Sequence, residues 1–154
     1  MNYLIRPATE SDIEAIVGYE IDIAVVSFAD EAVTGHPLAL GKPGEIMLVA
    51  AAEQDPDVAV GWAWVSARTN SLTGDRYGNF RSLAAATGPD QSLVGELLMS
   101  AVLAAAADAG LSRLTGKVHA GNLGMRVLYR EFGFTAAHLT MERRLGPDGA
   151  GPGG

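Results

Sequence analysis

The sequence predicts a mixed α/β domain, and three observations support that prediction. The chain has 154 residues, 48% of them hydrophobic, which is enough to bury one core. Short runs typical of strands alternate with stretches of helical periodicity. The predicted order is β-α-β-β-β-α-β-α-β, with one uninterpreted segment, 28–44, after the first helix. Because the unit from Tyr77 to His119 is strand–helix–strand, its two strands should be parallel, in a central sheet flanked by helices.

The first half of the chain supplies a strand, a helix and a hairpin. The strand is Tyr3–Arg6. Ser11, with Glu14 three residues later, matches a capping box, and an apolar stripe at helical spacing continues to about Val26. Two runs with strand character, separated by Gln-Asp-Pro-Asp, then predict a hairpin. Its parts are strand 46–52, turn 54–57 and strand 58–67.

The second half alternates strands with helices. Glycines that follow the two helical stretches, Gly110 and Gly133, mark where those helices end. The predicted elements are strand 77–86, helix 93–109, strand 111–120, helix 122–132 and strand 134–145. The tail 146–154 is rich in Gly and Pro and is expected to be disordered, which leaves one domain over 1–145.

Composition excludes several classes of function. The chain has no cysteine, so disulfides, thiolate catalysis and cysteine metal sites are excluded. Its His, Asp and Glu residues do not fall at metal-ligand spacing, and we expect no metal. The net charge of −7, without a basic cluster, argues against nucleic-acid and membrane partners. No signal-peptide pattern is present at the N-terminus, so we expect a cytoplasmic protein.

The stretch 122–134, NLGMRVLYREFGF, is the most informative in the chain. Asn122 suits an N-cap, since its side-chain oxygen can accept from a free helical N–H. Met125, Leu128 and Tyr129 recur at helical spacing and give one apolar face. Gly133 suits the left-handed C-cap position. The stretch therefore predicts a short capped helix, on which Tyr129 is either a half-buried core residue or a functional one.

The spacing in this stretch resembles the Asn-x-x-Ala-x-x-Leu-Tyr-x-x-x-Gly-Phe segment of the GNAT superfamily of acyl-CoA-dependent N-acyltransferases. The opening IRPATESDIEAI, and the hairpin with Gly61-Trp62 in its second strand, are also similar to that family. The resemblance implies a GNAT-like fold in which strands 77–86 and 111–120 splay apart. It also implies transfer of an acyl group, commonly acetyl, from acyl-CoA directly to the primary amine of a small molecule or peptide. Many GNAT proteins are dimers, so a homodimer is expected.

The resemblance also implies which residues bind the co-substrate. Pantetheine would pair with strand 77–86 and contact Asn122 and Tyr129, and the pyrophosphate would lie at the start of helix 93–109. The residues concerned are Leu83, Ala84, Ala85, Gln91, Ser92, Leu93, Val94, Gly95, Glu96, Asn122 and Tyr129. The loop departs from the family pattern, because Leu93 stands in place of a glycine and Asp90 adds a negative charge near the phosphates.

For the chemistry, the resemblance assigns Tyr129 as the acid beside the CoA sulfur. His119 is the first candidate for the base, since its ordinary pKa suits that role, and a structural histidine is the alternative. Glu20, Asp22 and Asp75 are lesser candidates. Arg81 could anchor a substrate carboxylate or merely pair with an acid.

Two functions remain open at this point. Asn122, Tyr129 and Gly133-Phe134 favour an active acyltransferase. Asp90 and Leu93 favour a catalytically degenerate GNAT domain that binds a ligand or a protein partner. The acceptor amine is not identified, because the residues expected to select it lie in 28–44 and 70–76.

Overall fold

The computed structural model describes residues 2–12, 42–86, 88–116, 123–137, 141–143 and 145–146. They form a five-stranded sheet with two helices, so the predicted mixed α/β class is confirmed. The strands are β1 (Tyr3–Pro7), β2 (Glu45–Ala52), β3 (Ala59–Thr69), β4 (Arg76–Ala85) and β5 (Leu114–Gly116). The helices are α1 (Gln91–Asp108) and α2 (Leu123–Glu131), and a 3-10 turn spans Glu10–Asp12.

The sheet has the order β1-β2-β3-β4-β5. The first four strands are antiparallel neighbours, and β4 and β5 are parallel, as the strand–helix–strand unit predicted. The β4–β5 ladder runs only from the pair Gly78–Leu114 to the pair Phe80–Gly116. From Arg81 to Ala85, β4 has no paired neighbour on this side among the described residues. We call this segment the open β4 edge; the residues that would face it across the predicted splay, 117–120, lie outside the described part of the chain.

Two predicted strands differ from the structure. β5 begins at Leu114 rather than at residue 111, because the Leu111 N–H still bonds back to the Ala106 carbonyl in the turn that leaves α1. The predicted strand 134–145 is not formed in its described residues, which are 134–137, 141–143 and 145. A strand needs a neighbouring edge for its backbone hydrogen bonds, and β5 offers only three described residues.

The two helices end as the sequence predicted. Gly110 and Gly133 have φ of 78° and 85°, in the left-handed region that glycine favours. After α2, the N–H groups of Gly133 and Phe134 donate to the carbonyls of Arg130 and Tyr129, which is a Schellman motif. The start of α1 is two residues earlier than predicted, with Asp90 at the N-cap position.

The predicted capping box needs Glu14, which lies outside the described residues, as does the rest of the predicted first helix. The described residues before it, up to Asp12, make the following contacts. The Asp12 carboxylate accepts from the Thr9 N–H at 2.8 Å and from the Thr9 hydroxyl at 3.1 Å. It also receives two hydrogen bonds from the Arg6 guanidinium, at 2.8 and 2.9 Å. Asp12 is 1% exposed, so this carboxylate is a buried anchor between β1 and the 3-10 turn.

Apolar residues cover both faces of the sheet. The helix side carries a cluster that joins the sheet to α1 and α2 and includes Leu83, Leu98, Met125 and Tyr129. The opposite face, which we call the tryptophan side, carries Met47, Val49, Ala59, Trp62, Trp64 and Ala84. With 18 residues and a mean hydropathy of 1.2, α1 is long and apolar enough to cross a membrane. It nevertheless packs against β2, β3 and β4 as a core helix does.

Candidate active site

Tyr129 lies in the core, and its hydroxyl has no hydrogen-bond partner among the described residues. The amphipathic face of α2 turns the ring inward, where it packs 6.0 Å from Phe80 in an edge-on arrangement and 4.8 Å from Phe134, centroid to centroid. The residue is 7% exposed, and its buried hydroxyl has no hydrogen-bond partner in the described part of the chain. Burial raises the pKa of Tyr129 far above the ordinary tyrosine value, because the phenolate would lose its hydration.

The Tyr129 hydroxyl lies against Gly116, the last residue of β5. A Cβ at this position would collide with the hydroxyl and would lie 3.3 Å from the Phe80 Cβ. Only glycine leaves room for the hydroxyl at this point. Since Gly116 and Phe80 form the last β4–β5 pair, the hydroxyl lies where the ladder ends and the open β4 edge begins.

The predicted pantetheine strand and the first turn of α1 come together beside α2. Leu83, Ala84 and Ala85 are all buried near the end of β4. The position of a Cβ on Gly95 is 4.0 Å from Leu83 Cδ2 and 3.8 Å from Leu128 Cδ2, where Leu128 precedes Tyr129 on α2. These are ordinary contact distances, so the packing of the protein leaves room for a side chain at Gly95.

The first turn of α1 has free backbone donors. The Val94 N–H bonds to the Asp90 carbonyl at 2.9 Å, and the Gln91 N–H to the Gly88 carbonyl at 3.3 Å. The N–H groups of Ser92 and Leu93 have no acceptor among the described residues. The side chain of Asp90, at the N-cap position, makes no cap hydrogen bond to them. Gln91 directs its side-chain amide back to the Ala85 carbonyl at 3.3 Å. Glu96 is exposed on the same turn, whereas Val94 is buried.

Asp90 and Leu93, the two residues that depart from the GNAT pattern, differ in their surroundings in the structure. The Asp90 carboxylate accepts a hydrogen bond of 2.6 Å from the Tyr3 hydroxyl, which raises the pKa of Tyr3. Asp90 therefore connects the start of α1 to β1. The Leu93 side chain is 42% exposed and is not part of the core. Sequence alone gives no signal for the Tyr3–Asp90 contact, because 87 positions separate the two residues.

Most candidates for the base lie outside the described residues. This holds for His119, Glu20 and Asp22, and also for Asn122 among the binding residues. Asp75 is described and is not at the site. It precedes β4, at the end opposite Ala85, and bonds to Arg113 at 3.0 Å and to Ser112 at 2.5 Å. In the described ranges no three His, Asp or Glu residues are grouped to hold a metal ion.

A polar cluster on the tryptophan side was not fully predicted. The Glu45 carboxylate accepts from Trp64 Nε1 at 2.8 Å and from the Ser66 hydroxyl at 2.5 Å. The Arg81 guanidinium lies over the Trp64 ring, 4.6 Å from its centroid. Alternation along β3 could have placed Trp64 and Ser66 on one face. The addition of Glu45 and Arg81 depends on the registers of β2 and β4, which have no local sequence signal.

Comparison with known proteins gives no matching family model and no matching curated relative. Solved structures do match. An aminoglycoside N-acetyltransferase, AAC(6')-Iy in complex with CoA, has a TM-score of 0.73 at 17% identity, over 94% of this chain and 95% of that one. Ribosomal-protein-alanine N-acetyltransferase from Brucella melitensis biovar Abortus 2308 has 0.71 at 16%, over 94% and 100%. A transcriptional regulator from Bacillus halodurans C-125 has 0.74 at 16%, again over 94% and 100%.

At these identities the likeness concerns the fold. It extends over nearly the whole chain in each case, and a likeness to a probable acetyltransferase covers 96% of the chain with a TM-score of 0.72. The chain therefore shares its fold with these solved structures, and the GNAT-like fold that the resemblance in 122–134 implied is confirmed.

Proposed function

We propose that the protein is an acyl-CoA-dependent N-acyltransferase that moves an acyl group, most simply acetyl, to the primary amine of a small molecule or peptide. The observation that supports this best is the unpaired Tyr129 hydroxyl at the end of the β4–β5 ladder. A buried hydroxyl without a partner costs about 1–3 kcal/mol of stability. Such a group calls for an explanation, and a role toward a ligand provides one.

The described residues fit acyl-CoA. The free N–H groups of Ser92 and Leu93 stand at a helix N-terminus, where the backbone and the helix dipole favour a phosphate. Gly95 has no side chain on this turn, and a Cβ there would meet no described atom nearer than 3.8 Å. The open β4 edge, from Arg81 to Ala85, has the backbone groups that an extended pantetheine arm would need. The co-substrate would supply the acyl group as a thioester.

In this proposal Tyr129 acts as the acid. Burial raises its pKa, so the hydroxyl is neutral at physiological pH and can donate a hydrogen bond to the departing sulfur. The nitrogen–carbon bond of the new amide forms, the carbon–sulfur bond of the thioester breaks, and the Tyr129 proton passes to the departing sulfur. The proton lost by the amine passes to a base, for which His119 remains the candidate. From the base it returns through solvent to Tyr129, which restores both groups.

A domain that binds without turnover is the second candidate. Asp90 favours it, because its carboxylate stands at the N-cap of the helix where the phosphates would bind. The Gln91 amide favours it too, since it already occupies the Ala85 carbonyl. Such a protein would bind a ligand or a protein partner on the same fold and release no thiol from acetyl-CoA.

Thiol release from acetyl-CoA over a panel of primary amines separates the two candidates. We expect turnover by the wild type and a loss of about 10²-fold or more in Tyr129→Phe, with acetyl-CoA affinity retained, because only the proton donor is removed. Tyr77→Phe is the matched control, since Tyr77 lies at the start of β4 against Arg113. Binding of acetyl-CoA without turnover of any amine would favour the second candidate, and equal rates in wild type and Tyr129→Phe would exclude Tyr129 from the chemistry.

A further inference from the structure

Arg81 is a partly buried cation without an anion beside it in the described part of the chain. Two arginines in the described ranges are partly buried, Arg6 and Arg81. Arg6 makes an ion pair with Asp12, whose carboxylate it contacts through two nitrogens. Arg81 makes no ion pair or hydrogen bond with any described residue, and its guanidinium lies on the Trp64 ring. Among the described residues, the Arg81 guanidinium therefore has an aromatic contact but no anionic partner.

The surface under Arg81 is rigid. Trp64 is 2% exposed, its Nε1 donates to Glu45, and its ring lies 5.9 Å from that of Trp62. Stacking on an indole uses the flat face of a guanidinium and leaves the N–H donors at its edge free. Those donors form a planar fork that matches the two oxygens of a carboxylate.

The position of Arg81 relates it to Tyr129. In the β3–β4 register Val65 pairs with Phe80 and Trp64 pairs with Ser82, so Arg81 is the extra residue of a bulge. Bulges change the direction of a side chain and are frequent beside active sites. Arg81 directly follows Phe80, which forms the last pair with β5 and packs against Tyr129. Arg81 on the tryptophan side and the Tyr129 hydroxyl on the helix side thus lie on opposite faces of the sheet. Both are next to the point where the open β4 edge begins.

We infer that the acceptor is an amine that also carries a carboxylate, and that Arg81 binds this carboxylate through the edge of its guanidinium. The inference rests on the proposed function for the role of the amine, but the carboxylate site stands on the contacts of Arg81 alone. The proposed acceptor is therefore an amino acid, either free or as the C-terminal residue of a short peptide. A polycationic amine without a carboxylate would meet an unfavourable charge at Arg81.

Two assays test the inference. The first follows tryptophan fluorescence while the protein is titrated with ω-amino acids of increasing chain length, with their amides, and with short peptides that have free or amidated C-termini. The second measures kcat/KM for the same compounds with acetyl-CoA. We expect acids to be preferred over the matching amides by about 10- to 100-fold, as for a charge-assisted bidentate pair. The chain length and the free or peptide form that bind best identify the source of the carboxylate.

The variants are Arg81→Gln, Arg81→Lys and the control Arg68→Gln. Arg68 lies on β3, is exposed and donates only to the Ala67 carbonyl at 3.0 Å, so its loss should leave the acid preference unchanged. Arg81→Gln should abolish the preference without weakening acetyl-CoA binding, and Arg81→Lys should keep part of it, because a point charge remains. Circular dichroism shows whether each variant is folded, and Arg81→Lys carries the test if Arg81→Gln is not.

Each outcome has a distinct meaning. The inference is overturned if no carboxylate changes the wild-type fluorescence, if acids and amides behave alike in both assays, or if the acid preference survives in Arg81→Gln. An Arg81-dependent response to acids without thiol release from any amine would leave the carboxylate site standing and would count against the proposed function. Efficient turnover of amides with no effect of Arg81→Gln would do the reverse.

Discussion

Asp12 and Tyr129 are both buried polar residues, but among the described residues only Asp12 has hydrogen-bond partners for its side chain. Asp12, 1% exposed, accepts two hydrogen bonds from Arg6 and two from Thr9. Tyr129, 7% exposed, buries a hydroxyl that has no partner among the described residues. A buried polar group with all its hydrogen bonds made belongs to the stability of the fold. The described residues give no structural reason for the unpaired Tyr129 hydroxyl, and we propose that a ligand is its partner.

The largest effect on stability should come from breaking the satisfied site. Arg6→Ala leaves the Asp12 carboxylate buried without its cation, and we expect a loss of about 3–5 kcal/mol in the free energy of unfolding. Urea denaturation measures this. Arg113→Ala is the matched control, because its ion pair with Asp75 is exposed and such pairs contribute only about 0–1 kcal/mol. Equal losses in both variants would show that burial of the pair does not matter.

Tyr129→Phe should show the opposite behaviour. Removing a hydroxyl that has no partner should leave the free energy of unfolding unchanged or raise it, by up to about 1–3 kcal/mol, since a desolvated polar group is lost. Urea denaturation of this variant beside Tyr77→Phe isolates the effect of the buried hydroxyl. A clear loss of stability in Tyr129→Phe alone would mean that the hydroxyl has a structural partner, and the contrast with Asp12 would fail.

Asp12 and Tyr129 should also affect the free energy of unfolding at opposite ends of the pH range. Arg6 lowers the pKa of Asp12, so the folded state holds this proton less tightly than the unfolded state. The stability from Asp12 is complete above the ordinary carboxyl pKa of about 3.9 and is lost as the pH falls through the lowered value.

For Tyr129 the sign is reversed. Burial raises the pKa of Tyr129, so the folded state keeps the proton, and its stability is complete below the ordinary tyrosine pKa of about 10 and lost as the pH rises above it. Urea midpoints measured across pH should show an acid limb that Asp12→Asn reduces and an alkaline limb that Tyr129→Phe reduces. The remaining alkaline limb includes Tyr3, whose pKa the hydrogen bond to Asp90 raises. An alkaline limb identical in wild type and Tyr129→Phe would contradict the burial of the neutral hydroxyl.

Two glycines provide the smallest and most specific test. A Cβ at Gly61 would approach Val94 Cγ1 to 2.8 Å and the Ala84 carbonyl oxygen to 2.9 Å, whereas a Cβ at Gly95 meets nothing nearer than 3.8 Å. Gly61→Ala should therefore lose about 1–3 kcal/mol through overpacking. Gly95→Ala should change stability by no more than about 1 kcal/mol, in the stabilising direction of helix propensity.

The same pair separates fold from ligand binding. If the co-substrate passes the first turn of α1, Gly95→Ala should weaken acetyl-CoA binding in calorimetric titration although the protein stays folded. Unchanged affinity in Gly95→Ala would show that the space beside Gly95 is not used by the co-substrate, and the site would have to be placed elsewhere along α1.

Features set by neighbours along the chain were predictable from the sequence. The apolar face of α2 and its end at Gly133 follow from residues within one or two helical turns, and both were predicted. The parallel pairing of β4 and β5 also followed, because a strand–helix–strand unit admits few arrangements. The burial of Tyr129 followed from the helical period alone, but the absence of a partner for its hydroxyl did not.

Features set by long-range register were not predictable. The contact of Tyr3 with Asp90, and that of Glu45 with Trp64, join residues that are distant in sequence. Which residues meet across the sheet depends on the register shifts between Ala50 and Ala51 and between Trp64 and Val65, and no local pattern marks these. A one-residue shift exchanges the faces of a strand, so alternation along one strand cannot tell which residues of the next strand it meets.

We propose that the protein binds acyl-CoA beside the Tyr129 hydroxyl. A calorimetric titration of the purified protein with acetyl-CoA tests this most directly. We expect saturable binding in the micromolar range, with Asp90 and Leu93 tolerated because the N–H groups of Ser92 and Leu93 have no acceptor among the described residues. No binding at millimolar acetyl-CoA would contradict this proposal and would leave the Tyr129 hydroxyl without the ligand that we propose for it.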